Sequence, residues 1–259
     1  MVKSSRESGL ERAIQILDCL YEHGRPMVVN ELAAAMGAPR STVYELTKAL
    51  IGRSILDHYG DGGRVYLGRK LFLYGQAFQD EYSLLGLAEP IIDLLAKESG
   101  ERAELCSNVD WKQCVLYMAE GQRPFEYKSY PGDRYPLPLT ATGRFFIAGV
   151  DEETLRQRIP EEDYYLNGRR RITLEQFQAD SRKAQEQGYS VVSGLVDPYL
   201  AAVAMPITER SGTILTVIGF TFPSGELAAN EERFVHLLRG AQAEIQAALS
   251  SLDQRGGAK

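Results

Sequence analysis

The chain has 259 residues, of which 44% are hydrophobic and 25% charged, with a net charge of −6. That length suits two modest domains or one large one, and the composition is that of an ordinary globular protein. No apolar run approaches the ~20 residues needed to cross a bilayer. The opening MVKSSRESGLERAIQ is polar and lacks the apolar core of a secretory signal, so a cytoplasmic address and no membrane partner are expected.

Three cysteines, Cys19, Cys106 and Cys114, are too few and too scattered for a disulfide scaffold or a zinc site. The acidity is uneven along the chain. Residues 1–80 hold ten Lys/Arg against nine Asp/Glu, whereas residues 81–259 hold nineteen against twenty-six. A nearly neutral first part can still place cations on a face that meets phosphate, so the overall charge does not exclude a nucleic-acid partner.

In LERAIQILDCLYEHG, Leu10, Ala13, Ile14, Leu17, Leu20 and Tyr21 recur at three- and four-residue steps and predict an amphipathic helix with that face inward. Gly24 and Pro26 stop it. A short helix follows in VNELAAAMG, with Asn30 as N-cap and Leu32, Ala33 and Met36 facing inward. Gly37 ends this helix, and small residues at Ala33, Ala34 and Gly37 suit a close crossing with the next one.

That third helix starts at Arg40-Ser41-Thr42, where a hydroxyl can cap the open N–H groups. Val43, Leu46, Ala49 and Leu50 form its buried stripe, and Arg40, Ser41, Thr42, Tyr44, Glu45 and Lys48 face outward. Two short helices joined by a tight turn, the second presenting polar side chains, make a helix-turn-helix. Ile55, Leu56, Val65, Tyr66 and Leu67 then form two strand runs around Gly60-Asp61-Gly62-Gly63. A hairpin after a recognition helix is a wing, and Arg64 stands where it could reach a phosphate. The competing reading is a helical bundle fragment with a stray hairpin.

The stretch ERAIQILDCLYEHGRPMVVNELAAAMGAPRSTVYELTKALIGRSIL resembles the N-terminal domain of the IclR family of bacterial regulators. PLPLTATGRFFIAG and AQEQGYSVVSGLVDPYLAAVAMPITERSGTILTVIGFTFP resemble that family's effector domain, so the likeness runs over about residues 8–252. One departure is Glu45, where the family often has a basic residue. A carboxylate repels phosphate but can accept from cytosine N4.

The organisation expected is therefore α+β: a winged helix-turn-helix over residues 1–70, a connecting helix over 71–89, and a GAF-like α/β sensor domain over 90–259. The connecting helix is expected at residues 71–84, broken by Pro90 before a further helix at 91–97. The resemblance implies that the connecting helix also helps form a homodimer or homotetramer. Strands are expected at AELCSNV, QCVLYMAE, FEYKSY, YSVVS, LAAVAMPIT and TILTVIGFTF, with turns at Asp110-Trp111-Lys112 and Arg210-Ser211-Gly212. Helices are expected at TGRFFIAG, DEETLRQRI, LEQFQADSRKAQEQG and residues 227–252.

No GxSxG elbow, P-loop, HExxH or dinucleotide fingerprint occurs, and His23, His58 and His236 assemble no triad or metal cluster. No cofactor or metal is expected, and the chain does not read as an enzyme. Cys106 and Cys114 could face each other across a hairpin as a redox pair, although buried, inert thiols are the commoner case. Arg169-Arg170-Arg171 reads as solvated surface or salt-bridge partners rather than a DNA contact.

Small residues in Thr140-Ala141-Thr142-Gly143 leave N–H groups open at a helix start, a setting that suits a carboxylate or an ordinary cap. The resemblance implies that this turn lines an effector pocket together with Val192, Leu200, Ala202, Gly219 and Thr221. Some family members carry an acidic residue at the position of Val192 and a cysteine at that of Ala202, so a more apolar pocket is expected here. That points to an organic acid with an aromatic or apolar body, held without a charged side chain. The implied function is a ligand-responsive repressor acting at a DNA operator, with an activator of the same family as the alternative. The rivals are an enzyme with an appended DNA-binding controller and an effector-free DNA-binding protein.

Overall fold

The computed structural model describes residues 8–78, 84–122, 129–209 and 211–256, which divide into two units meeting at Asp80 and Glu81. In the first unit, α1 (Gly9–His23) starts at a capping box in which the Ser8 side chain accepts from the Glu11 N–H and the Glu11 carboxylate accepts from the Ser8 N–H. It ends at Gly24. Its buried residues are Ile16, Cys19 and Leu20, while Leu10, Ile14 and Tyr21 of the expected inward face are exposed. The helix carries two apolar stripes, and packing chose the narrower one.

A strand missed by the periodicity, β1 (Met27–Val28), precedes α2 (Val29–Ala35). Asn30 does not cap α2; instead the Glu31 carboxylate accepts from the Val28 N–H at 3.1 Å. Ala33 is buried as expected, but Ala34 and Gly37 are exposed. The third helix, α3 (Arg40–Gly52), has Pro39 at its N-cap and no side-chain cap, so the hydroxyls of Ser41 and Thr42 do not serve there. Val43 and Thr47 are its buried residues, Leu46 and Leu50 pack at the core margin, and Ala49 is exposed. The stripe runs i, i+3, i+4, i+7 from Val43, which includes Thr47 and excludes Ala49.

The wing is built from β2 (Leu56–His58) and β3 (Arg64–Leu67), and β1 pairs with β3 to give the order β1-β3-β2. Ile16, Leu20, Met27, Leu32, Val43, Leu56 and Val65 form one core joining the three helices to this sheet. The unit closes with α4 (Arg69–Phe78), whose first N–H is capped by the Asp57 carboxylate at 3.0 Å.

In the second unit, α5 (Leu84–Ser99) runs unbroken through Pro90. The expected break does not occur because Pro90 lies on the exposed side, where the missing N–H costs least. Next come β4 (Arg102–Val109) and β5 (Lys112–Ala119), turned at Asp110 and Trp111, both with positive φ. Most of the run expected as a third strand, FEYKSY, lies outside the described residues, and its last two positions, Ser129 and Tyr130, are not strand. The strand beside β5 is instead β6 (Arg134–Pro136).

A one-turn 3-10 helix at Leu137–Leu139 leads into α6 (Gly143–Phe146) and α7 (Glu152–Arg158). A small ribbon of β7 (Tyr165–Leu166) and β8 (Arg169–Arg170) follows, then α8 (Leu174–Gln187). The basic run thus sits in this ribbon, with Arg171 donating to the Gly194 carbonyl. The chain ends with β9 (Ser190–Ser193), β10 (Leu200–Thr208), β11 (Ile214–Pro223) and α9 (Leu227–Gly256). Arg210, in the expected turn between β10 and β11, lies outside the described residues.

Six strands form one antiparallel sheet in the order β6-β5-β4-β11-β10-β9. Its two faces diverge by alternation along each strand. Ala103, Leu105, Val203, Met205, Ile218, Phe220 and Phe222 pack against α5 and α9 as the main core. The opposite face meets α6, α8 and the segment between them. Cys106 and Cys114 project to opposite faces, since Cys106 pairs with Val115 and Ser107 with Cys114, so the redox-pair reading fails on geometry.

Candidate functional site

On the second face of the sheet lies a cavity that opens to solvent at its mouth. Its floor follows from strand register. One row runs Glu104, Gly219, Ala204 and Ser190 across β4, β11, β10 and β9, and the next runs Arg102, Thr221, Ala202 and Val192. At Gly219 an added Cβ would meet the Val203 carbonyl oxygen at 2.7 Å, so the backbones approach too closely there for any side chain. Leu139, Thr140, Ala141 and Thr142 close one side, Leu195, Val196 and Leu200 a second, and Gln113, Ser129 and Tyr135 a third.

The turn at 140–143 is held from behind. Arg144 is 2% exposed. Its guanidinium donates to the carbonyls of Pro138 and Thr140 at 2.9 and 2.6 Å and pairs with Asp180 at 3.2 Å, over the Phe177 ring. Burial pulls its pKa down to about 10, against the pull of Asp180, which leaves it charged at neutral pH. Gly143 is required because a Cβ there would come within 2.0 Å of the Leu137 carbonyl oxygen. Ser190 fixes the same turn by donating to the Ala141 carbonyl at 2.6 Å.

The effector residues named from sequence largely converge. Thr140, Ala141, Thr142, Val192, Leu200, Ala202, Gly219 and Thr221 all line the cavity. Gly143 does not; its N–H is taken by the Thr140 hydroxyl at 3.2 Å, so it is a packing residue behind the wall. The hydroxyls are also more committed than expected. Thr140 Oγ1 donates to the Leu137 carbonyl at 3.2 Å, and Thr142 Oγ1 donates to Gln113 Oε1.

Glu104, Cys106, Gln113, Ser129, Tyr135, Leu139, Leu195 and Val196 were not foreseen. One signal was available: Glu104 is a lone charge inside the apolar run Ala103–Cys106. The expectation of a pocket without a charged side chain is therefore corrected. Burial pushes the Glu104 carboxyl up to about 7, opposed by the Arg102 charge and the Thr221 hydroxyl. Burial also holds the Cys106 thiol well above its ordinary range, with Glu104 adding to the effect, which leaves it a poor nucleophile. Among the described residues no histidine lines the cavity.

On the first unit, Arg40, Ser41, Tyr44, Glu45 and Lys48 are exposed along α3, and Thr42 is half-buried. The start of α3 has no side-chain cap, so no side chain takes up its first N–H groups, a favourable setting for a phosphate. Arg64 is exposed at the first position of β3, opposite Val28; the Glu31 carboxyl is held below its ordinary range by the Val28 N–H first and by Arg25, with Arg64 adding the least.

Comparison with known proteins follows the same two-part division. Residues 9–58 match the IclR helix-turn-helix domain, and residues 76–247 match the bacterial transcriptional regulator IclR C-terminal domain. The Pca regulon regulatory protein of Pseudomonas putida is 25% identical over 247 residues, covering 92% of this chain and 82% of its own length. The HTH-type transcriptional repressor AllR of Salmonella typhi is 25% identical over 249 residues, covering 93% and 89%. Among solved structures, an IclR homolog from Microbacterium hydrocarbonoxydans in complex with 4-hydroxybenzoate superposes with a TM-score of 0.74 at 18% identity, covering 94% of this chain and all of that one.

Proposed function

Because the chain belongs to the IclR family of bacterial transcriptional regulators, we propose that it is a repressor whose hold on its operator is released by a small aromatic acid. The carrying observation is the cavity itself: enclosed by a regular sheet, apolar along Val192, Leu195, Leu200 and Ala202, and polar at the Thr142–Gln113 end. A site with an apolar body and a few convergent polar groups suits a ring with one acidic substituent. The acid is held by the N–H groups of Ala141 and Thr142 and by the Gln113 amide N–H, since the Thr140 proton goes to the Leu137 carbonyl; the Thr221 oxygen can accept one further hydrogen bond. The related AllR is named a repressor, and the Microbacterium homolog was crystallised with 4-hydroxybenzoate. Both support the reading.

Arg40, Ser41, Thr42, Tyr44, Glu45 and Lys48 read the major groove, with Arg64 on the backbone beside it. The effector acts by binding one state of the sensor unit better than another, and the coupled state has its paired recognition helices at the wrong spacing for the half-sites.

Calorimetry of the full-length protein against benzoates and against pyruvate and glyoxylate tests the ligand class. Fluorescence anisotropy on DNA flanking its own gene tests release. The expected result is micromolar binding of an aromatic acid that lowers operator affinity. Tight binding of glyoxylate or pyruvate with no response to any aromatic acid overturns the ligand class, and an aromatic acid that strengthens operator binding overturns the repressor assignment.

A further inference from the structure

Glu104 is the one charged side chain among the described lining residues, 9% exposed on the cavity floor. Its neighbours across the floor are Gly219 and, one strand further, Ala204, so small residues leave the carboxyl open to the cavity. The nearest cation on its own strand, Arg102, turns its guanidinium to Glu120, at 2.8 and 3.2 Å. The Thr221 hydroxyl donates to Glu104 Oε2 at 3.4 Å, a long bond. A carboxyl has about four acceptor sites, so this one keeps spare capacity facing the cavity.

A second group in the same cavity lacks a partner. The Ser129 hydroxyl is 2% exposed and makes no hydrogen bond among the described residues. It is carried by the turn in which the Gly132 N–H donates to the Val115 carbonyl at 2.8 Å, and Val115 pairs with Cys106 between the two ends of the floor. At the far end stands Gln113, opposite Asn108. Among the described residues Glu104 makes no hydrogen bond to Gln113 or to the 140–142 turn, so the two polar groups are separate points on the cavity wall. An aromatic ring substituted at opposite ends presents one hydrogen-bonding group to each.

We propose that Glu104 is a specificity-determining residue that accepts a hydrogen bond from a hydroxyl on the effector, so the effector is an aromatic acid bearing a hydroxyl opposite its carboxylate. This rests on the aromatic-acid reading of the cavity. A second carboxylate at that end would meet Glu104 as a like charge in a water-poor site. An ammonium would have to shed its hydration against a single carboxyl partner. A hydroxyl adds no charge and satisfies an acceptor that an unsubstituted acid leaves buried and unpaired, the situation in which a site discriminates most sharply.

The test is calorimetry of the full-length protein with benzoate, 4-hydroxybenzoate, terephthalate and 4-(aminomethyl)benzoate. The expected order places 4-hydroxybenzoate at least tenfold tighter than benzoate, with terephthalate and the ammonium compound weaker than benzoate. Glu104→Met is expected to reduce the hydroxyl preference below about threefold, and Glu104→Gln, which keeps a neutral acceptor, to leave an intermediate preference. The readout is a ratio between two ligands on one protein, so general destabilisation does not mimic it. If Glu104→Met does not fold, the wild-type order and Glu104→Gln decide. If none of the four acids binds, the aromatic-acid reading falls and this inference with it. If benzoate binds but the hydroxyl adds less than threefold, if Glu104→Met keeps the full preference, or if the ammonium compound binds tightest, the Glu104 inference alone falls.

Discussion

Glu104 and Arg144 are both buried charged residues, but their surroundings differ. Arg144 has two carbonyls and Asp180 around its guanidinium and serves as a strut for the 140–143 turn. Glu104 has one long hydrogen bond, and burial pushes it up to about 7 from 4.5; Arg102 and Thr221 oppose the shift, while Glu120 and Asp133 add to it. Between about pH 4.5 and 7 the folded state therefore holds a proton that the unfolded chain has lost. The resulting stability is fully present below the lower value and is lost as pH rises through the upper one. Glu104→Gln cannot titrate. Its stability relative to wild type is expected to be greater at pH 8 than at pH 5 by about 1–3 kcal/mol, one pKa unit being about 1.4 kcal/mol. Urea unfolding of both proteins at the two pH values measures this, and an equal difference at both would mean that the carboxyl titrates normally.

At the scale of elements, α3 shows how far helical spacing carries. Its outward set was readable because exposed polar positions follow from the period, and Arg40, Tyr44, Glu45 and Lys48 are all exposed. Its start at Arg40 was readable too, but its cap was not, because Pro39 rather than a hydroxyl occupies that position. The wing gained a third strand, Met27–Val28, too short to show a period of its own. If α3 and the wing meet DNA as proposed, Lys48→Ala and Arg64→Ala each lower the slope of log affinity against log salt by about one, across sequences. Glu45→Ala instead relaxes the preference at one operator position, as expected for a base contact. Binding measured at several salt concentrations on matched and mismatched duplexes separates the two roles. A Lys48→Ala variant with wild-type affinity and salt slope would remove that residue from the interface.

At the scale of the whole molecule, the first unit leaves large apolar side chains in solvent. Leu10 is 72% exposed, Phe72 66% and Leu73 62%, with Ile14, Tyr21 and Phe78 also exposed. If these side chains form an association face, as large exposed apolar groups often do, a two-fold arrangement would pair two recognition helices on adjacent half-sites. Sedimentation velocity of the full chain is expected to show a dimer or larger species, and Phe72→Glu with Leu73→Glu to shift it toward monomer. A wild-type protein that sediments as a monomer at micromolar concentration would rule out the dimer.

Local chemistry was enough to read the helix-turn-helix, the wing hairpin, the strands β4, β5, β9, β10 and β11 and the long final helix, since each has its period or its turn residues within a short stretch. It also marked the turn at 140–142 and the floor positions Val192, Ala202 and Thr221, through resemblance of whole segments. Which stripe of α1 is buried, the uninterrupted passage of α5 through Pro90 and the separation of Cys106 from Cys114 were decided by packing and register. Glu104 belongs to the same group. It was visible as a charge in an apolar strand, but only the register that sets Gly219 and Ala204 beside it turns that charge toward a cavity. A one-residue slip would have sent it to the opposite face, among Leu105, Ile218 and Phe220.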